Sequence, residues 1–174
     1  MSIRAATHLA WALCALSLAL TALSLLLLVL NLSHPNTHIY APWLDNTVTT
    51  VFLSTVGALI ASRRPENPVG WLLCLYGLVI TISHFSVQYA IYALLAQPNS
   101  LPAGEALVWI VSWILPIIIG LQLFYILLFP NGRLSSRRWR PLAWLTVAFI
   151  LEAVMNSIRN GLGMRKTENR KGPS

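Results

Sequence analysis

Residues 7–32 read THLAWALCALSLALTALSLLLLVLNL, a run of 26 residues that contains no Asp, Glu, Lys or Arg. An apolar stretch of about 18 residues or more with few charges is long enough to cross a bilayer as a helix. A secretory signal has a shorter apolar region of about 7–15 residues, followed by small residues at a cleavage site. Here the run ends in NLSHP (31–35). We therefore predict an uncleaved first transmembrane helix in preference to a signal peptide.

The rest of the chain continues the same pattern. Hydrophobic residues make up 56% of the 174 residues and charged residues only 10%, against about 25% charged in a typical soluble domain. Further apolar runs cover residues 43–62, 69–95, 105–129 and 142–158, and they are separated by polar segments rich in proline, asparagine and arginine. The sequence predicts an all-α, polytopic transmembrane bundle of about five helices over residues 1–158. Residues 159–174 form a basic tail that we expect to be disordered.

The placement of the basic residues predicts an orientation. The net charge is +7, but Lys and Arg lie at the ends of the apolar runs and in the tail, which argues against a nucleic-acid surface. If spans one to four cross the membrane in turn, the basic residues up to residue 140 all lie on the same side of it. They are Arg4, Arg63, Arg64 and the arginines of residues 133–140. Because loops rich in Lys and Arg stay in the cytoplasm, the N-terminus is predicted to be cytoplasmic.

The basic tail does not fit this predicted orientation. It carries five basic residues and would lie outside if the fifth span crosses fully. Three interpretations stay open: the fifth span lies in the interface, the tail is outside, or the natural chain continues further. The third is favoured by a resemblance carried by two turns.

The two turns are ASRRPENPVGWLL (61–73) and LFPNGRLSSRRWRP (128–141). Together they resemble the N-terminal membrane region of bacterial sensor histidine kinases of the actinobacterial type, over about residues 61–144. The resemblance implies a multi-pass sensory or anchoring module in the inner (cytoplasmic) membrane. It implies a homodimer or a downstream kinase as protein partner. No phospho-acceptor or nucleotide-binding motif follows Trp144, so we expect a truncated module that is not an enzyme.

A second hypothesis is a small stand-alone integral membrane protein of the transport or assembly type. Under both hypotheses the expected partners are the bilayer and its anionic headgroups, and no cofactor is expected. Basic residues near an anionic surface contribute about 1 kcal/mol each, and tryptophan favours the headgroup region. The predicted topology and lipid anchors are Arg63, Arg64, Trp71, Arg133, Arg137, Arg138, Trp139 and Arg140. The alternative role for these turns is a docking site for a cytoplasmic partner.

One polar stripe within the membrane is the candidate sensing site. It consists of Thr81, His84, Gln88 and Tyr92, which share a helix face because they recur at intervals of three and four residues. An ionisable residue deep in a span is a functional candidate. The alternative is that these side chains form hydrogen bonds between helices and hold the bundle together. Glu152 is the only acidic residue deep in a span, and His84 is its candidate partner.

Metal and catalytic sites are not predicted. His34 and His38 are four residues apart, but the flanking Pro35 and Pro42 oppose the helix that would bring them together. No nucleophile, base and acid are arranged as a catalytic motif. Phe85, Tyr89, Trp109 and Trp113 suggest an apolar pocket between spans three and four, with bundle packing as the alternative.

Overall fold

The computed structural model describes residues 3–32, 43–97, 101–128, 141, 144–156 and 159. Five helices follow one another along this part of the chain. They are α1 (Ile3–Asn31), α2 (Trp43–Arg63), α3 (Pro68–Ile91), α4 (Gly104–Leu128) and α5 (Trp144–Asn156). A π-helical turn, Tyr92–Ala96, extends α3. The predicted all-α class with five helices is confirmed.

Four of the helices are long and apolar enough to cross a membrane. They are α1, α2, α3 with its π-helical turn, and α4. The described part of α5 has 13 residues. Pro141 and Arg159, on either side of it, are helical as well.

Helix α1 turns its small and polar residues inward and its leucines outward. The stripe buried against α2 and α3 consists of Ala6, Ala10, Cys14, Ser17, Thr21, Ser24 and Asn31. Leu16, Leu23 and Leu26 are about half exposed. In lipid there is no gain in hiding leucine, so close packing and hydrogen bonding between small residues hold the helices together. The leucine-rich face of α1, which a soluble protein would bury, is therefore the exposed face.

Helix α3 is the central helix, and it packs against α1, α2 and α4. Glycines allow its backbone to approach α2 closely. A Cβ atom on Gly70 would lie 2.6 Å from the backbone nitrogen of Ala61, and one on Gly57 would lie 2.6 Å from that of Cys74. No larger residue fits at either point without moving backbone.

The turn between α2 and α3 is built by hydrogen bonds. The Asn67 side chain accepts a bond of 3.0 Å from the Val69 amide, so the predicted N-cap of this helix is present. Pro68 occupies the first helical turn, where its missing N–H costs nothing. The indole of the predicted anchor Trp71 donates to the Pro65 carbonyl at 3.0 Å, and Arg63 and Arg64 are exposed beside it.

Helix α4 covers one side of α3 and is itself covered by α5. Ile118, Leu121, Tyr125 and Leu128 of α4 pack on an apolar cluster that includes Leu73, Tyr76 and Ile80 of α3. On another face of α4, Gly120 lies directly against the side chain of Ile150 of α5. The remaining predicted anchors Arg133, Arg137, Arg138, Trp139 and Arg140 lie outside the described residues, as do His34, His38 and the tail beyond Arg159.

Candidate functional site

Three threonines from three helices meet near the middle of the bundle. Thr81 of α3 lies 3.5 Å from Thr21 of α1 and 3.4 Å from Thr50 of α2, measured between hydroxyl oxygens. All three residues are buried. This cluster is the polar connection between the first three helices, and one of its members, Thr81, belongs to the predicted stripe.

The hydroxyl protons of this cluster are directed mainly to the helix backbones. Thr21 donates to the Ser17 carbonyl at 2.8 Å, and Thr81 donates to the Gly77 carbonyl at 2.9 Å. Both distances are normal for hydrogen bonds, whereas 3.4–3.5 Å between the hydroxyls is long. A hydroxyl has only one proton. The contacts between the hydroxyl oxygens are therefore weaker than the bonds from Thr21 and Thr81 to their own helix backbones.

A polar pocket lies next to the threonines. Its lining comes from α1, α2 and α3: Thr21, Ser24, Leu25, Leu28, Asn46, Thr47, Thr50, Thr81, His84 and Gln88. The open space within it is about 10 Å³, room for about one water molecule. His84 is the only ionisable residue in this lining.

Several side chains of the pocket have no partner within the described chain. The hydroxyl of Ser24, the amide of Asn46 and the imidazole of His84 make no hydrogen bond to another described residue. Polar groups this far inside a bundle normally have partners, in the protein or in ordered water. The pocket is therefore suited to water or another small polar molecule.

Asn31 and Gln88 join α1 to α3 at one end of the bundle. The Asn31 amide nitrogen donates to the backbone carbonyl and to the side-chain Oε1 of Gln88, both at 3.0 Å. A backbone carbonyl can only accept, so this bond determines which way the Asn31 amide faces. Both residues are buried, and the side-chain oxygen of Asn31 has no partner among the described residues. We call this the Asn31 end of the bundle, and the opposite end the Arg64 end.

Only part of the predicted polar stripe on α3 lines the pocket. Thr81, His84 and Gln88 line it, whereas Tyr92 is not in the lining and begins the π-helical turn. Glu152 is exposed, and within the described chain no hydrogen bond or ion pair joins it to His84. The expected contact between these two residues is therefore wrong. The reason is that α5 packs on α4 at Gly120, while His84 faces α1 and α2.

Sequence reasoning missed the part of the pocket that α1 and α2 contribute. Thr21, Ser24, Asn46, Thr47 and Thr50 were not predicted as site residues. A signal was present in α1, where Ser17, Thr21, Ser24 and Asn31 interrupt the leucines at positions separated by 4, 3 and 7 residues. That spacing places them on one helix face.

An apolar groove also separates α3 from α4, close to the Asn31 end. It has a volume of about 300 Å³ and is lined by Val87, Ala90, Ile91, Leu94, Leu95, Val108 and Val111. Phe85, Tyr89 and Trp109, which the sequence suggested for a pocket here, are not in this aliphatic lining. The rings of Phe85 and Tyr89 instead pack on each other, with their centroids 5.8 Å apart, and the Tyr89 hydroxyl donates to the Pro102 carbonyl.

The fold and the site together define a class: an all-α bundle with four helices able to cross a membrane and a neutral polar pocket that contains one histidine. Among the described residues, no cluster of His, Cys, Asp and Glu is arranged to hold a metal ion. Comparison with protein-family models, with curated proteins and with solved structures finds no match. The function is therefore argued from the pocket.

Proposed function

We propose that the chain is a sensory and anchoring module of the cytoplasmic membrane, without kinase activity of its own, related to the input region of a two-component sensor histidine kinase. The observation that carries the proposal is the pocket around His84. An input module needs a group whose state depends on the medium on one side and whose neighbours belong to several helices. His84 lines a small polar pocket shared by α1, α2 and α3.

The arrangement of charges supports a direction for the signal. Arg4, Arg63 and Arg64 lie at the Arg64 end of the bundle, and basic residues mark the cytoplasmic side. The pocket lies between the middle of the bundle and the Asn31 end, which is then the outer side. Under this proposal a change at His84 is caused by the outer medium and is transmitted along the close α2–α3 contact to the cytoplasmic turn at residues 64–67.

The size of the pocket favours sensing over transport. A transporter needs a binding site that accommodates its solute and opens alternately to both sides. The open space here is about 10 Å³, which suits about one water molecule. Histidine is the side chain that normally changes charge between about pH 5 and 8, so a proton is the simplest stimulus that fits.

The experiment measures whether a change at the pocket reaches the Arg64 end. Glu66 is exposed in the cytoplasmic turn, so a Glu66→Cys variant can carry an environment-sensitive fluorophore. Cys14 and Cys74 are both buried and are replaced by alanine in this background. The labelled protein is reconstituted in bilayer discs and titrated from pH 5 to 8. We expect a fluorescence transition within this range.

The matched control uses a second histidine. His8 is exposed on α1, whereas His84 lies in the pocket. We expect the transition to persist in His8→Gln and to disappear in His84→Gln. A transition that is unchanged in His84→Gln, or a wild-type protein that gives none, would show that the pocket is not the sensing site.

A further inference from the structure

The two cysteines of the chain lie together in the bundle, although they are 60 positions apart in the sequence. Cys14 of α1 and Cys74 of α3 are free thiols, and they are 2% and 1% exposed. Both belong to one buried cluster, whose other members are the alanines Ala10, Ala58 and Ala61. The two thiols are close enough to interact electrostatically. Because the chain has two cysteines in total, the fold brings its complete set of thiols to one place.

The register of α1 against α3 places the two cysteines opposite each other. Thr21 and Thr81, whose hydroxyl oxygens are 3.5 Å apart, are also 60 positions apart in the sequence. Helices α1 and α3 run in the same direction, because the contacts of Thr21 and Asn31 reach successively later residues of α3. Each cysteine comes seven residues before the threonine of its own helix. Seven residues are close to two turns, or about 10.5 Å along the axis, so each cysteine shares the face of its threonine.

Small residues and short contacts keep the helices close at the depth of the cysteines. Gly57 of α2 faces Cys74, because a Cβ atom on this glycine would lie 2.9 Å from the Cys74 sulfur. Toward the Arg64 end, the Thr7 hydroxyl of α1 donates to the Ser62 carbonyl of α2 at 3.4 Å. Helix α1 is thus held to the bundle on both sides of Cys14. A disulfide requires Cα atoms within about 7 Å of each other, a separation that small interface residues allow.

We propose that Cys14 and Cys74 form a reversible disulfide inside the membrane, and that the oxidant is a quinone dissolved in the bilayer. In this step both S–H bonds break and one S–S bond forms. Two electrons and two protons pass to the quinone, whose two carbonyl oxygens become the hydroxyls of a hydroquinone. The new bond ties α1 to α3 two turns from the Thr21–Thr81 contact. This inference does not depend on His84 being a sensor.

The surroundings of the cysteines determine the class of oxidant. Cys74 lies six residues after Pro68 at the start of α3, or about 9 Å along the helix axis, so the pair lies inside the apolar layer. Exchange with a water-soluble disulfide requires a thiolate, and a charged group is costly in hydrocarbon. A quinone enters the bilayer, and the overall reaction leaves no charge behind. Leu13, Leu18 and Trp71 pack on the cluster as partly buried side chains, and their rotation admits a small planar oxidant.

Thiol counting in bilayer discs tests the proposal on the unsubstituted chain. The reduced protein is incubated with duroquinone, a fully substituted quinone, or with oxidised glutathione. The discs are then dissolved in detergent that contains excess maleimide, and the protein is digested for mass spectrometry. We expect duroquinone to remove both thiols from labelling and to give one pair of peptides linked through Cys14 and Cys74, which dithiothreitol separates. Oxidised glutathione is expected to leave both thiols free.

Two results would overturn the proposal. If both cysteines are still labelled after duroquinone, or if the loss of label is not reversed by dithiothreitol, the pair is not a reversible disulfide site. If oxidised glutathione forms the link as readily as duroquinone does, the oxidant is not restricted to molecules that dissolve in the bilayer.

The matched control moves one thiol away from α3 and keeps the number of thiols at two. Leu16 lies two residues after Cys14 on α1 and is 49% exposed. At about 100° per residue, its side chain points about 160° away from that of Cys14 at nearly the same depth. The variant that combines Cys14→Ala with Leu16→Cys is expected to give no link within one molecule between residues 16 and 74. A link that forms as readily as in the unsubstituted chain would show that the register does not select Cys14 and Cys74, and would overturn the proposal.

Discussion

At the scale of single residues, close backbone approach makes specific glycines irreplaceable. A Cβ on Gly70 would meet the backbone of Ala61 at 2.6–3.0 Å. Backbone atoms of a packed helix cannot rotate away, so α2 and α3 would have to separate. We expect Gly70→Ala to lower the free energy of unfolding by about 1–3 kcal/mol, despite the better helix propensity of alanine. Unfolding in mixed detergent micelles measures this.

Gly104 is the matched control for that substitution. A Cβ at Gly104 would meet side-chain atoms of Leu94 and Ala93 at 3.0–3.1 Å, and the leucine can adjust its rotamer. Gly104→Ala is therefore expected to change stability by less than about 1 kcal/mol. A Gly104→Ala protein that is as unstable as Gly70→Ala would show that backbone approach is not what limits these positions.

Local sequence signals identified some single residues correctly and left others hidden. The Asn67 N-cap was predictable because an asparagine just before a proline and an apolar run has few other local roles. Thr81, His84 and Gln88 were predictable as one face because all three lie on a single helix. Thr50 of α2 was not, because a threonine on a separate helix gives no sequence sign of a partner 31 residues away.

At the scale of helices, the side-chain amide of Asn31 joins α1 to α3 at the Asn31 end of the bundle. Asn31 directs its amide nitrogen at two acceptors of Gln88. Asn31→Asp replaces that donor by an oxygen and places acceptor against acceptor. Gln88→Glu keeps an oxygen that still accepts from Asn31. We expect Asn31→Asp to reduce the free energy of unfolding by about 1–3 kcal/mol more than Gln88→Glu does.

The comparison of these two substitutions is informative because each converts a buried amide into a carboxyl group of the same size. The cost of burying a carboxyl is common to both, so the difference reports the direction of the hydrogen bond. The measurement is unfolding of both variants under the same detergent conditions. Equal costs, or a larger cost for Gln88→Glu, would contradict the donor assignment to Asn31.

The sequence predicts where the helices lie along the chain, but it does not predict which helix faces pack together. The difference has a physical reason. Length and hydropathy alone determine whether a segment can cross a bilayer, and the described helices begin and end within a few residues of the apolar runs. Pairing depends on which face is small or polar, and leucine content is a misleading guide to it in lipid. The inward stripe of α1 shows this, because its members are small or polar residues while Leu16, Leu23 and Leu26 of the same helix are exposed.

At the scale of the whole molecule, the bundle is asymmetric in charge and in packing. Helices α1, α2 and α3 surround the polar pocket, whereas α4 contacts mainly α3. Tyr76 of α3 donates a hydrogen bond to Gln122 of α4, so a change at His84 can be transmitted to α4 through α3.

The orientation of the whole molecule is the last prediction. Reporter enzymes active on only one side of the membrane are fused after Gly104 and after Arg140. Because Arg4, Arg63 and Arg64 lie at one end of the bundle, we expect the Gly104 fusion to report outside and the Arg140 fusion to report inside. The reverse result would place the His84 pocket toward the cytoplasm and remove the proposed direction of sensing. A third fusion after Ser174 decides the path of α5. An outside signal means that α5 crosses the membrane, and an inside signal means that α5 does not cross and that the basic tail lies on the same side as the other basic residues.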